Sequence, residues 1–144
     1  MIFESVRFLN ESDIVWDYIT DIDYSVFEEI ENRYGVRIPH ELKSLFNEYN
    51  NGVPNKQHFK LRNGEGILSG IFSLNKDEKY NVYFYLDMMK DLNYNNYFPI
   101  GNNYYGGTIY YNISNKNIEI YDEEQDKFYK ISDNLKSFIK SLYK

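Results

Sequence analysis

The sequence predicts a single α+β domain, with N-terminal helices and a C-terminal helix packed on a mainly antiparallel sheet of about five or six strands. Three observations carry this expectation. Two stretches with apolar residues at helical spacing lie close together between residues 25 and 54. Short segments rich in β-branched and aromatic residues, separated by turn chemistry, run from 58 to 132, and a last helical stripe follows them. A length of 144 residues suits one hydrophobic core, and 42% apolar with 19% aromatic residues can fill it.

Taken in order, Ser12 to about Thr20 carries Ile14, Val15, Tyr18 and Ile19 on one helical face, with Ser12 as its cap. Ser25 and Glu28 then form a capping-box pattern, Phe27, Ile30 and Tyr34 continue a buried stripe, and Gly35 ends that helix. Pro39 opens the next one, where a missing N–H costs nothing, and Leu42, Leu45, Phe46 and Tyr49 line its apolar side. Gly52 and Pro54 close it. Two amphipathic helices so close together must fold back and share one apolar surface.

The strands that give them something to pack on are "HFKLRNG", "GILSGIFSL", "YFPIG", "GTIYYNIS", "NIEIYDEE" and "KFYKIS". In "TIYYNIS", Ile109, Tyr111 and Ile113 alternate with Thr108, Tyr110 and Asn112, which predicts a hairpin with one buried face. A second hairpin turn is expected from Glu123 to Asp126. Val82, Tyr85, Leu86 and Met89 recur at helical spacing, and Ser132 or Asp133 caps a last helix bearing Leu135, Phe138, Ile139 and Leu142.

With 22 acidic and 16 basic residues the chain has a net charge of −6, so phosphate backbones and anionic lipid surfaces repel it, and neither nucleic acid nor membrane is an expected partner. No run approaches the ~18 apolar residues that span a bilayer. The start "MIFESVRFLNESD" lacks the basic and then apolar order of a signal peptide, so the expected location is the cytoplasm. Cysteine is absent, which excludes disulfides, thiolate metal sites and a cysteine nucleophile. Tyr, Asn, Lys, Ile and Phe are abundant, which points to an AT-rich, bacterial genome; codon drift and core filling account for most of the sixteen tyrosines before any binding face is invoked.

Catalytic patterns fail one by one. His40 and His58 have no helical histidine partner, so no zinc site is advertised. "DIDYS" starts like a calcium loop, but Val26 and Asn32 stand where that loop needs Gly and Glu. "GEGILSG" has Ser69 in place of the third glycine of a phosphate loop and leads into a strand. Asp122, Glu123, Glu124 and Asp126 are dense enough for acid–base chemistry, yet on a hairpin turn they read as a solvated acidic knob or as a contact for a basic partner. Glu28, Glu29 and Glu31 either extend that negative surface or mark a solvated helix face. No catalytic residue, cofactor or metal site is therefore expected.

The stretches "FEEIENRYGVRIPHELKSLFNEYNNGVP", "FPIGNNYYGGTIYYNIS", "NIEIYDEE" and "ISDNLKSFIKSL" together resemble the SUKH superfamily, which includes the yeast cell-wall assembly regulator domain. The likeness covers roughly residues 25 to 143. It implies an α+β fold and, for bacterial members, an immunity protein that binds and neutralises a cognate polymorphic toxin, often a nuclease. The family's "G-x-x-x-x-G-D" turn is matched by Gly101 through Gly107, with Thr108 where the family often has Asp. Tyr104, Tyr105, Asp122, Glu123, Glu124 and Asp126 are the expected partner contacts, because they sit in predicted turns of one stretch of sheet. A cytoplasmic scaffold or regulatory module is the alternative, and a sugar- or peptide-binding role for the tyrosines is a third.

Overall fold

Two helices near the start, a meander of strands and a closing helix are what the chain builds, in the order its punctuation dictates. The computed structural model describes residues 13–144; Ser12 and most of the segment "MIFESVRFLNESD" lie outside them. Among the described residues the elements are β1 (Trp16–Asp17), α1 (Val26–Tyr34), α2 (His40–Tyr49), β2 (Val53–Pro54), β3 (His58–Leu61), β4 (Gly64–Ile67), α3 (Tyr83–Asp91), β5 (Tyr97–Asn102), β6 (Thr108–Asn112), β7 (Ile118–Asp122), β8 (Lys127–Ser132) and α4 (Leu135–Ser141). The fold is α+β. No helix of the described residues is long and apolar enough to cross a membrane.

The main sheet is an antiparallel meander of four strands, β5-β6-β7-β8, with β1–β2 and β3–β4 as separate pairs. It falls short of the expected five or six strands because "GILSGIFSL" leaves regular geometry after Ile67. Residues 68–74 nonetheless bridge the two parts of the structure: Phe72 N–H donates to Ile100 O at 2.8 Å on one side, and Ile71 N–H to Gly52 O at 2.8 Å on the other. Opposite this segment β5 shifts register between Pro99 and Gly101. Gly101 is needed there, since a Cβ would lie 2.2 Å from the Gly70 carbonyl oxygen.

The predicted helix over 12–20 is not formed across the described part of that span. Val15 N–H instead donates to Asn55 Oδ1 at 3.0 Å, Asn55 N–H to Val15 O at 2.9 Å, and Thr20 N–H to Asn50 O at 3.0 Å. Trp16 stacks on Tyr49 at 4.3 Å, and Tyr18, at φ 63, breaks any helical path. Tertiary bonds to an asparagine-rich turn have overridden an apolar spacing.

Helix α1 forms as expected, but not through the Ser25–Glu28 box. Asp23 Oδ1 accepts both the Ser25 N–H (3.0 Å) and the Ser25 hydroxyl (2.9 Å), which leaves no serine cap bond to the helix. Gly35 closes α1 in the left-handed region. Glu31 then ties the corner: its Oε2 accepts the Ile38 N–H at 2.9 Å, and its Oε1 stands 3.7 Å from Lys43 Nζ. α4 is capped by Asn134, whose side chain accepts the Ser137 N–H at 2.8 Å, while Asp133 is bonded by Lys130. The cap thus falls one residue beyond the expected pair.

Phe27, Ile30, Leu42, Leu45 and Phe46 of the helix pair meet Phe98, Ile109, Tyr111 and Ile118 of the sheet, with Phe138 and Ile139 of α4 in the same core. The two helices therefore lie on the sheet, with Phe46 edge-on to Phe98. Tyr111 adds a polar tie, its hydroxyl donating to Glu41 of α2. The expectation of one buried face on β6 needs correction, because all five residues are buried. Tyr110 and Tyr121 form a second cluster on the reverse face, packed with Met89 of α3. The period-2 pattern survives, but both of its faces are covered.

One buried amide joins the parts. Asn50 Nδ2 donates to Thr20 Oγ1 and Ser73 Oγ, each at 3.0 Å, and Asn50 Oδ1 accepts the Leu74 N–H at 2.8 Å. Asn50→Ala leaves the buried Leu74 N–H without its acceptor and removes the donor to Thr20 and Ser73, so a loss of about 3 kcal/mol is expected in urea unfolding. Burial is the main cause that pushes Tyr34, Tyr49 and Tyr97 up to about 12, with carboxylates (Asp87, Glu48 and Glu119 respectively) adding to it. The unfolded chain releases these protons near pH 10. The stability they contribute is thus complete below about pH 10 and is lost as pH rises through 12, so circular dichroism should show unfolding in step with tyrosinate absorbance.

Candidate interaction surface

The antiparallel meander decides which loops become neighbours. Thr108 pairs with Tyr121, so the β5–β6 loop and the β7–β8 turn, which carry the six expected contact residues, stand at the same end of the sheet. Between them is a groove of about 500 Å³ lined by Asn103, Gly106 and Gly107 on one side and Asp122, Glu123 and Glu124 on the other.

Each loop is held in shape. Asn103 organises the first: its Nδ2 donates to Gly106 O at 2.9 Å, and its Oδ1 accepts the Ile67 N–H at 2.9 Å. Tyr104 N–H donates to Ile67 O at 2.8 Å. Gly106 and Gly107, at φ 118 and 92, supply a backbone path that other residues rarely adopt, and Thr108 buries its side chain at the end of the turn. Tyr104 and Tyr105 are consequently displayed, 73% and 66% exposed, with their rings edge-to-face at 5.5 Å.

The four acids of the second turn divide into two pairs. Asp122 Oδ1 accepts the Glu124 and Gln125 N–H groups at 3.0 and 3.3 Å, a local bond that shapes the turn. Asp126 Oδ1 accepts the hydroxyls of Tyr121 (2.6 Å) and Tyr94 (2.9 Å). These two bonds, Tyr121 foremost, hold the Asp126 carboxyl below its ordinary range despite some desolvation. Glu123 and Glu124 project from this frame with no side-chain partner among the described residues, so they are the free charge of the turn. Of the other acids considered, Glu31 is occupied at the α1–α2 corner, and Glu28 and Glu29 are exposed on α1.

Sequence spacing missed one component. Beyond its buried stripe, α3 carries a second one, Phe84, Met88 and Leu92 with Asp87 and Asp91 between them, at intervals of three and four. Phe84 is 67% exposed. Together with Tyr121 and Glu123 these five residues line a groove of about 460 Å³ that adjoins the acidic turn. No Lys or Arg lines either groove. This end of the molecule therefore combines exposed aromatic and apolar area with carboxylates, of which Asp87 is met by the Tyr34 hydroxyl at 2.7 Å and by Arg33 at 3.9 Å. His40 is exposed at the start of α2, and His58 stacks on Tyr143 at 5.6 Å. No three His, Asp or Glu side chains of the described residues gather to hold a metal.

A family model described as SUKH_6, SMI1-KNR4 cell-wall, matches residues 25–139. No curated protein and no solved structure matches the chain.

Asp126 is the acceptor that raises the phenols of Tyr94 and Tyr121, its hydrogen bond being the largest cause in each. Spectrophotometric titration of Asp126→Ala should show two tyrosines ionising at lower pH than in the parent protein.

Proposed function

Because the chain belongs to the SUKH_6 family of SMI1-KNR4 cell-wall domains, we propose that it is a bacterial immunity protein, which binds a cognate polymorphic toxin of nuclease type and neutralises it stoichiometrically. The family covers immunity proteins as well as SMI1/KNR4-like proteins. The observation that carries the proposal is the convergence of Tyr104, Tyr105, Glu123, Glu124 and the exposed stripe of α3 on one end of the sheet, with no cation lining its two grooves.

A nuclease must present positive charge to its nucleic acid substrate. A surface of exposed carboxylates and rings steers toward such a site and covers it, with the rings supplying buried area and the charges supplying on-rate and register. Loops braced by Asn103 and Asp126 bind with little ordering cost, which favours tight association. Inhibition by occlusion needs no covalent step, so this chain requires no catalytic residue or cofactor, and its place of action is the cytoplasm, where it meets the toxin before harm is done.

The cell-wall description of the family favours a second reading, a regulatory module that binds an endogenous protein. Co-expression with candidate toxins from genes neighbouring this one separates the two. The immunity reading expects survival of the host and a one-to-one complex on purification; continued toxicity with no complex would overturn it. The double reversal Glu123→Lys with Glu124→Lys should slow association at least about tenfold at low salt, with the difference shrinking as salt rises.

A further inference from the structure

Besides the groove between the two loops there is a cleft of about 660 Å³ lined by Tyr104 of the β5–β6 loop, Tyr18, Tyr80 and residues 69–72. Three tyrosines stand round it, Tyr18, Tyr80 and Tyr104, which are 75%, 56% and 73% exposed. Such rings seldom gather at one mouth without a ligand to cover, because each leaves apolar area in water. Ile71 and Phe72 form part of its floor.

The backbone round this cleft is held in uncommon conformations. Tyr18 (φ 63), Asn51 (φ 64) and Gly70 (φ 155) all line it, and Asn51 Nδ2 donates to Tyr18 O at 3.1 Å, which locks two of them together. For a bulky residue such as Tyr18 this conformation is a strain that persists only where surrounding bonds enforce it, and such residues cluster at ligand clamps.

One carboxylate in the wall is prepared for a cation. Glu78 Oε1 accepts from Thr20 (2.5 Å), Asn75 (2.7 Å) and Ser73 (2.8 Å). Desolvation pushes this carboxyl up, and the three hydrogen bonds together outweigh it and keep it below its ordinary value. All three bonds fall on one oxygen, so Oε2 keeps its full accepting capacity among the described residues. Within the same wall Lys79 Nζ lies over the Tyr80 ring at 5.2 Å, so that ring face already attracts a cation.

We propose that this cleft receives an arginine-bearing segment of the protein partner, with the guanidinium bonded to Glu78 and stacked against Tyr80 or Tyr104. Arginine suits the site better than lysine, because its planar fork pairs with a carboxylate while its face lies on an aromatic ring. The inference rests on a protein partner, as in the reading above, but its binding test uses no toxin.

The probe is acetyl-Gly-Arg-Gly-amide, titrated into the full chain and followed by amide chemical shifts, with the citrulline tripeptide as the uncharged control. Saturable shifts at Tyr18, Gly70 and Tyr80 are expected for arginine and not for citrulline. Tyr80→Ser and Glu78→Gln should each weaken binding about tenfold, the scale of one lost charge-assisted hydrogen bond or ring contact. Lys79→Ala should tighten it several-fold by removing the internal competitor. Tyr80 and Lys79 are exposed, so their variants keep the test valid even if Glu78→Gln disturbs folding. Absence of saturation, equal shifts with citrulline, or binding indifferent to Tyr80→Ser and Lys79→Ala would overturn the proposal. Toxin neutralisation that survives those variants would leave immunity standing and remove the cleft from it.

Discussion

The carboxamide of Asn50, 1% exposed, is the constraint on which the other parts of the structure depend. It sits at the C-terminal end of α2 and bonds Thr20 of the N-terminal segment, Ser73, and the backbone of Leu74. Ser73 and Thr20 in turn both donate to Glu78. Three stretches distant in sequence are thereby fixed to one another, with Asn50 and Ser73 fully buried at the centre. A buried network of this kind specifies a structure when each member is satisfied and penalises alternatives that leave any member unpaired. Here it also fixes the relation between the helix pair and residues 68–74, and through Ser69, Phe72 and the close contact at Gly101, the relation of both to the main sheet.

The same network reaches the surface. Glu78 is its outermost member and also part of the wall of the tyrosine-rimmed cleft, so the interior bonds that define the fold set the orientation of a charge on that wall. The strained backbone at Tyr18 and Asn51 belongs to the same region. Scaffold and recognition surface share atoms at this point.

A second theme is how an acidic chain of net charge −6 accommodates its carboxylates. Phenols do much of it. Tyr34 donates to Asp87, Tyr97 to Glu119, Tyr111 to Glu41, Tyr143 to Glu65, and Tyr94 and Tyr121 to Asp126. A phenol bonds a carboxylate without neutralising it, so the negative field is retained while the acid is held in place. Carboxylates treated in this way shape the surface, whereas Glu123 and Glu124, which no phenol of the described residues bonds, project from their turn. The abundance of tyrosine thus has a structural use whatever its genomic origin.

Elements whose periodicity, stop and start signals agree were legible before any coordinates: α1, α2, α3, α4 and β5 through β8 occupy the spans their residues suggest, since local propensity and burial point the same way there. Sequence also marked Tyr104, Tyr105 and the acidic turn as loop residues. Legibility ended where long-range bonds compete with local ones. Residues 13–20 have helical spacing but pair with an asparagine turn thirty or more residues on, Asp23 displaced the Ser25 cap, and β6 proved buried on both faces because α3 covers its reverse side. What the sequence determined by itself is the class of fold, the acidic balance and the identity of the turns, which are properties of composition and nearest neighbours. Only the tertiary structure decided that two of those turns are adjacent, that Asp122 and Asp126 are consumed in shaping one of them, and that Tyr18, Tyr80 and Tyr104 share one cleft, because each depends on contacts between residues far apart in the chain.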